Sequence, residues 1–582
     1  MAAGLASALP TSGAGGVLAT SLRRLTPFSV TLWLLLLFVS LGLVVYPLTT
    51  ALVYEFDAVV AGWGELTSGP LSGALPAVLL NTLVVVTGAT VFAIVIGSAL
   101  AWANERSDAS LGFAGQLLPL AALIVPPIAG VIGWAVLLDP RAGLLNHFFQ
   151  WLLGFIGLEL RTGPLDIYTM GGLVIVTGLY TAPYVYLVVS AALQRLDPAV
   201  EEASRVSGAG PLKTMVKVTL PAIKPALAAA ALLGIISGIS LFSVPAVLGA
   251  GARIDVISVF IFRLLSEYPA QTGPAIVLAI GLLVLVQMLL IGQHLLVKRG
   301  RNAAVSGRGF RGTRVRLGPF RYLVLGLAGL YLLATAVLPL LGLLLVSLQP
   351  FWTPVIDLAT LTLQNFRFVL FENRETVAAL INSMSLGFAV ACVNMLLCGA
   401  LALHFSRNGR ARKIADALTG LPATIPHTVI GVAFILAFSR EPLRLYGTTA
   451  ILFLAYLVMT LAYAARAASA AADSIGAELG EASRVSKASD LKTLRRILLP
   501  VAAPGLVAGW IMVFVHTVGE VTASAFLSGS NNPVIGRVLL DFWTFGRFPQ
   551  VAALALVISL ISASLVGLML FITRRAHKAT IS

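Results

Sequence analysis

Glu202-Ala203-Ser204-Arg205-Val206-Ser207 recurs 279 residues later as Glu481-Ala482-Ser483-Arg484-Val485-Ser486. The agreement continues at the same offset. Leu212-Lys213-Thr214 matches Leu491-Lys492-Thr493, and Leu220-Pro221 matches Leu499-Pro500. The first copy reads E-A-S-x3-G-x9-V-x-L-P and the second E-A-S-x3-K-x9-I-x-L-P, so Lys487 stands where the first copy has Gly208. A loop of this composition has no reason to occur twice with the same nineteen-residue Glu-to-Pro spacing, so the chain is an internal duplication. Earlier landmarks agree. Asn81 pairs with Asn382 and Arg106 with Arg407 at offset 301, and Pro126 with Pro426 at offset 300. The fall from 300 to 279 leaves 21 extra residues in the first copy, around Leu144, Asn146, His147, Phe148, Trp151 and Leu152. Their apolar spacing suits a short helix at a membrane interface.

Composition sets the solvent. Of 582 residues, 58% are hydrophobic and 11% charged, and mean hydropathy is +0.96. Soluble domains carry roughly 25% charged residues, so a soluble enzyme is excluded, and abundant apolar surface excludes disorder. A membrane helix needs about 20 apolar residues. Twelve such runs lie near 28–53, 76–103, 113–138, 170–194, 222–248 and 273–296, then near 322–348, 377–404, 416–438, 447–469, 501–527 and 549–573. The first follows Arg23 and Arg24, is too long for a signal-peptide core and lacks a small-residue cleavage site, so it reads as a retained span. The expected fold is an all-α polytopic membrane protein of two homologous six-helix halves. Residues 1–27 precede the first half (28–297), a basic linker (298–321) joins it to the second (322–573), and 574–582 form a tail.

The net charge of +15 is a topology signal. With both termini on the cytoplasmic side, 29 of the 39 basic residues face the cytoplasm and 10 face outward, as the positive-inside rule requires. The linker from Lys298 to Arg321 holds eight basic residues and no acid. It reads as a tether touching anionic lipid. No aromatic stacking pattern of the kind that binds RNA accompanies the run, so no nucleic acid is expected. Cys392 and Cys398, six apart in an apolar run, form no CxxC and read as buried hydrophobes.

The repeated motif falls on the cytoplasmic side, between spans four and five of each half. Small residues after the acid permit close approach to a partner helix. Leu-Pro is expected to open the next span, since proline suits a first helical turn. These residues resemble the EAA loop of the inner-membrane permeases of binding-protein-dependent ABC importers, and the resemblance covers nearly the whole chain, twice. It implies a type I importer fold in the bacterial inner membrane, two copies of an ABC ATPase as partners and an extracytoplasmic substrate-binding protein. It implies that Glu202, Ala203, Ser204 and Gly208, ahead of Leu220 and Pro221, meet one ATPase. Glu481, Ala482 and Ser483, ahead of Leu499 and Pro500, would meet the other, with Lys487 making the two docking sites unlike. The fusion of both halves resembles iron(III)-type permeases, with ferric iron as cargo. Asn81-Thr82-Leu83, Ala101-Trp102-Ala103 and Phe242-Ser243-Val244-Pro245-Ala246-Val247-Leu248-Gly249 support this. Leu241 stands where that family often has an acid. Importers of 2-aminoethylphosphonate, thiamine or polyamines share the architecture.

The nearest approach to a phosphate-binding loop, Gly208-Ala209-Gly210-Pro211-Leu212-Lys213-Thr214, has leucine where glycine must precede the lysine. No cofactor is expected in this chain; ATP and Mg would sit on the partner ATPases, and the chain is not itself an enzyme. One acid, Glu520, falls in a span, and His516 four residues earlier would share its helical face. An intramembrane acid is a functional candidate by default, so both are candidates for the translocation path, with helix packing as the alternative role. Pro126, Pro127 and Pro426 read as packing kinks. An ion-coupled secondary transporter would require more intramembrane carboxylates, and a membrane enzyme would require clustered catalytic groups.

Overall fold

A computed structural model describes residues 27–109, 125–301, 314–405, 409–441, 443–475 and 489–581, with Leu479, Ser483 and Val485. Glu481, Ala482 and Lys487 lie outside the described residues, as do the start of the third run and residues 302–313 of the linker. The described chain is helical throughout, and its one isolated β-bridge joins Ser107 to Val315.

Among the described residues, nine helices are long and apolar enough to cross a membrane, or up to twelve if bent pairs count as single spans. Spans one, two, four and six are Pro27–Thr50, Leu75–Arg106, Met170–Arg195 and Thr272–Arg301. Spans seven, eight, ten, eleven and twelve are Phe320–Ser347, Arg374–Phe405, Thr449–Asp473, Leu491–Val518 and Phe548–Ile581. The short helix expected in the 21-residue surplus forms over Leu144–Gly154.

Four expectations need correction. The fifth span ends at Ser240 rather than 248, and the eleventh at Val518 rather than 527. Short helices follow each: Pro245–Ala252 and Ile257–Ser266 meet at 82° in the first half, and Thr522–Leu527 and Ile535–Thr544 follow in the second. These segments are apolar as well, so hydropathy alone carried the spans through the breaks. The ninth span is not a simple crossing. Gly409–Thr424 meets His427–Phe438 at 90° across Pro426. Its first-half counterpart Pro127–Leu138 also has 12 residues and is preceded by Pro126 in the same extended conformation. Twelve residues rise about 18 Å, short of a roughly 30 Å hydrocarbon core. Finally, Leu499-Pro500 does not open span eleven, because helix begins earlier, at Asp490, and runs through it. In the first half, helix begins at Pro211 and ends at Ala222, just past Leu220-Pro221, and span five opens at Lys224 after a 68° bend.

The reason lies in the turn before each proline. Proline lacks an N–H, and its ring clashes with the carbonyl four residues back. Widening that turn to i→i+5 bonding relieves the clash. Leu220 donates to Met215 O and Leu499 to Leu494 O, each immediately before the proline. The first and seventh spans use the same device, with Tyr46 donating to Leu41 O before Pro47 and Leu338 to Leu333 O before Pro339.

The halves exchange their first spans. Span one packs on the second half: Trp33 against Phe405, Phe28 against His404, and Ser40 donating to Leu418 O over 3.4 Å. Span seven packs on the first half, where Tyr331 OH donates to Leu179 O and Trp134 Nε1 donates to Ala334 O. On the side opposite the repeated motif, Arg440 pairs with Glu55 and lies over Tyr54. Behind span one, helix Phe56–Thr67 crosses span six at bare backbone: a Cβ on Gly62 would stand 2.2 Å from the carbonyl carbon of Gly273.

Gly62→Ala should therefore push this helix off span six. Overpacking of this kind costs about 1–3 kcal/mol. A lowered unfolding midpoint of the purified protein in detergent checks it, and an unchanged midpoint would show that the crossing is loose.

Candidate functional site

The motif hairpin is built from its first leg. Asp197 Oδ1 accepts from Ala199 N at 2.9 Å, and Pro198 fills the first turn of helix Pro198–Val206. The helix stops at Gly208, whose φ of +81° is a left-handed conformation glycine adopts without a Cβ penalty. There Gly208 N donates to Arg205 O and Ala209 N to Ser204 O, a Schellman closure that satisfies the last carbonyls.

A brace then fixes the return leg. Ser204 and Thr214 hydroxyls lie 3.0 Å apart, and their second-half equivalents Ser483 and Thr493 lie 2.7 Å apart. Ser204 and Ser483 therefore face the return leg, and Ser483 is buried. Glu202 stands half-exposed, 3.9 Å from Arg205. Ala203 and Gly208 are exposed, and Leu220, Pro221, Leu499 and Pro500 sit in the helices that lead into the spans. The outermost groups are ones the motif reading passed over. Val206 is 90% exposed and Val485, its equivalent 279 residues on, 83%. Val200 and Leu479, related by the same offset, are also exposed. The signal was present in the sequence, as an apolar residue kept in register on an otherwise polar helix.

The second candidate region is the seam between the halves. Phe242 and Phe262 of the first half meet Phe526 of the second, with ring centroids 5.5 Å, 5.5 Å and 6.1 Å apart. The triad sits where spans five and eleven break, and Pro126 of the first half lies against Gly519 of the second. Each break is pinned by a matched pair from the preceding long helix. Asn81 Nδ2 donates to Asp255 O and Thr82 Oγ1 accepts from Ile257 N. In the second half Asn382 Nδ2 donates to Pro533 O and Ser383 Oγ accepts from Ile535 N. The Asn81-Thr82 fragment thus acts as a clamp on the chain beyond each break.

Glu520 lies in the second break and not within a helix, so it shares no helical face with His516. Its carboxylate accepts from Thr522 N at 2.9 Å and Ser524 N at 3.3 Å, capping helix Thr522–Leu527. His427, first residue of the other helix at this point, brings Nδ1 to 3.6 Å from it. A buried acid placed at helix N-termini needs no lysine or arginine partner. Tyr456 OH completes the cluster, 2.8 Å from Ser524 Oγ. His516 turns elsewhere, with Nδ1 3.0 Å from Met512 O and its ring 4.4 Å from that of Tyr463. Cys398 is buried and Cys392 half-buried; both are free thiols. Among the described residues, no group of three His, Cys, Asp or Glu side chains is placed to hold a metal ion.

Residues 148–302 and 395–578, one stretch in each half, match the family described as binding-protein-dependent transport system inner membrane component. The chain is similar to the ferric transport system permease protein FbpB of Actinobacillus pleuropneumoniae. Identity is 27% over 81% of this chain and 67% of the relative. It is also similar to the sulfate transport system permease protein CysT of Salmonella typhimurium, at 32% over 46% of this chain and 94% of the relative. A third relative is the spermidine/putrescine transport system permease protein PotC of Haemophilus influenzae, at 27% over 35% of this chain and 80% of the relative.

Glu520→Gln removes the charge and one acceptor from the cap of Thr522–Leu527. Loss of an N-cap costs about 1 kcal/mol. The unfolding midpoint should fall, while His516→Gln, which leaves the cap intact, should shift it less. Equal shifts would remove Glu520 from its capping role.

Proposed function

The chain belongs to the binding-protein-dependent transport system inner membrane components, and on that premise we propose that it carries ferric iron inward as the permease of an ABC importer. It is a multi-pass protein of the inner membrane whose family works with ATPase and substrate-binding partners. The ferric assignment is supported by FbpB, whose likeness extends over 81% of this chain and so over both fused halves. The polyamine permease matches only 35% and the sulfate permease 46%.

The observation that carries the coupling reading is the paired motif hairpin. Two apolar side chains, Val206 and Val485, stand almost wholly in water at equivalent places, each on a leg braced by a Ser–Thr contact. A rigid hairpin tipped by an unburied valine is a docking plug. Glu202 and Glu481 flank the plugs as charged contacts, and each hairpin seats in one of two ATPase copies. ATP binding draws the ATPases together, the hairpins move with them, and the halves part at the Phe242–Phe262–Phe526 seam. Each partner acts by favouring one of the two states. Cargo passes between spans five and eleven, with Glu520 beside the path on the second-half side. ATP and Mg stay on the ATPases. The motif side faces the cytoplasm, a reading the charge distribution supports.

Burying a valine contributes about 1.5 kcal/mol, or about tenfold in affinity per site. Val206→Asp with Val485→Asp should strip the ATPase from the purified complex, as should Glu202→Lys with Glu481→Lys. An intact, transporting complex after both double changes would sink the docking reading. Cargo is tested with vesicles holding the permease and ATPase, given binding protein loaded with radioactive ferric iron. ATP-dependent iron uptake is expected, and saturable spermidine or sulfate uptake without iron uptake would overturn it. Orientation is read in cells from single cysteines in a chain lacking Cys392 and Cys398. A membrane-impermeant maleimide should label Phe155→Cys on the outer side and leave Val206→Cys untouched.

A further inference from the structure

The two hairpins are alike at their tips and unlike at their roots. In the first half, Arg106 at the end of span two reaches the end of span four, where its Nη2 donates to Leu193 O at 2.6 Å and Leu196 O at 2.8 Å. Leu196 O lies past the end of the helix, while Leu193 O also accepts from Leu196 N at 3.2 Å. The same guanidinium places Nε 3.6 Å from Glu201 Oε2. Glu201 is the residue before the motif glutamate and is 4% exposed. Its other oxygen, Oε1, accepts from Thr219 Oγ1 on the return leg at 2.6 Å. The linker joins the same knot. Val315 N donates to Arg106 O at 2.8 Å, Asp108 N to Val315 O at 3.0 Å, and Leu317 N to Asp108 Oδ1 at 3.0 Å. One arginine thus ties together span two, span four, both legs of the hairpin and the linker.

The Glu201–Thr219 part of this knot has no counterpart in the second-half sequence. At the 279 offset, Asp197 becomes Gly476, Glu201 becomes Gly480 and Thr219 becomes Leu498. The described tie there lies one element earlier. Arg412 of Gly409–Gly420 makes a two-pronged contact with Asp473 at the end of span ten, at 2.6 Å and 2.7 Å. That contact stops short of the hairpin.

We propose that Arg106 is a positioning residue that makes the first hairpin move as one body with spans two and four, through an acid and a hydroxyl that the second hairpin's sequence replaces with Gly480 and Leu498. ATPase closure is then transmitted unequally, with the first half driven directly and the second following. The proposal rests on the reading of the hairpins as ATPase docking elements. Glu201 and Thr219 are the parts of the knot that can be changed without touching the docking tip. Neither contacts solvent appreciably, and both belong to the hairpin root.

The test uses the full chain with its ATPase and binding protein in vesicles. Glu201→Gln removes the charge that faces Arg106 and keeps an acceptor for Thr219. Thr219→Val removes one hydrogen bond at nearly constant shape and is the milder change. Both variants should keep the ATPase at wild-type stoichiometry and hydrolyse ATP within about twofold of wild type. The stimulation of hydrolysis by binding protein, and the iron imported per ATP, should fall at least about fivefold in Glu201→Gln and less in Thr219→Val. Arg412→Gln, which breaks the second-half tie, should leave both ratios near wild type. A merely structural role would lower hydrolysis and import together and leave the ratios unchanged, which overturns the proposal. Equal uncoupling by Arg412→Gln overturns the asymmetry, and loss of ATPase from both first-half variants overturns transmission in favour of docking. Failure of the wild-type chain to retain any ATPase refutes the coupling reading instead. If wild type imports no iron yet responds to binding protein, only the cargo assignment fails, and the stimulation ratio still decides the proposal.

Discussion

Inside a bilayer there is no water to satisfy a backbone group released by a broken helix, so each break must be closed by protein. Much of this architecture follows from that one requirement. Spans five and eleven stop short of the far side, and the chain beyond them is held by Asn81 and Thr82 in one half and Asn382 and Ser383 in the other. The break after Val518 exposes the amides of Thr522 and Ser524, and Glu520 closes them. At the motif side, Arg106 closes the carbonyl of Leu196 and adds a second donor to that of Leu193. The polar residues of this apolar chain cluster at the ends of helices because the backbone needs them there.

The duplication divides these solutions into two kinds. Those that keep the fold intact are repeated: the Asn clamps, the Ser–Thr braces and the widened turns before Pro221 and Pro500. Others are single: the Glu201–Thr219 contact in the first half, Glu520 and His427 in the second, and the aromatic helix Leu144–Gly154 in the first. Symmetry in the frame with asymmetry at the working points fits a machine that moves cargo one way.

Much of this was legible in the sequence, and the limits are physical. The repeat at offset 279 exposed the two halves, because matched residues in matched places leave little room for coincidence. Span existence followed from hydropathy, and the 21-residue surplus located the short helix. Span ends at Ser240 and Val518 were not legible, since the residues that follow are as apolar as the spans. The same blindness placed Glu520 inside a helix with His516, where a Gly519 break separates them. Val206 and Val485 were hidden by their ordinariness: a valine draws no attention until its exposure is known. The exchange of first spans left no mark at all, because a leucine-rich helix carries no record of which half it packs on.

That exchange bears on how the molecule is made. Span one leaves the ribosome early, yet the Leu418 carbonyl that Ser40 meets is 378 residues further along the chain. At a synthesis rate of about 5–20 residues per second, the helix waits on the order of tens of seconds before its partner exists. It must spend that time in lipid, stable alone. Its composition suits the wait, with a run of leucines and hydroxyls such as Thr31 and Thr50 bonded back to their own helix at Pro27 O and Tyr46 O. The nascent first half is therefore incomplete by design, with one helix parked beside it until the second half arrives to claim it.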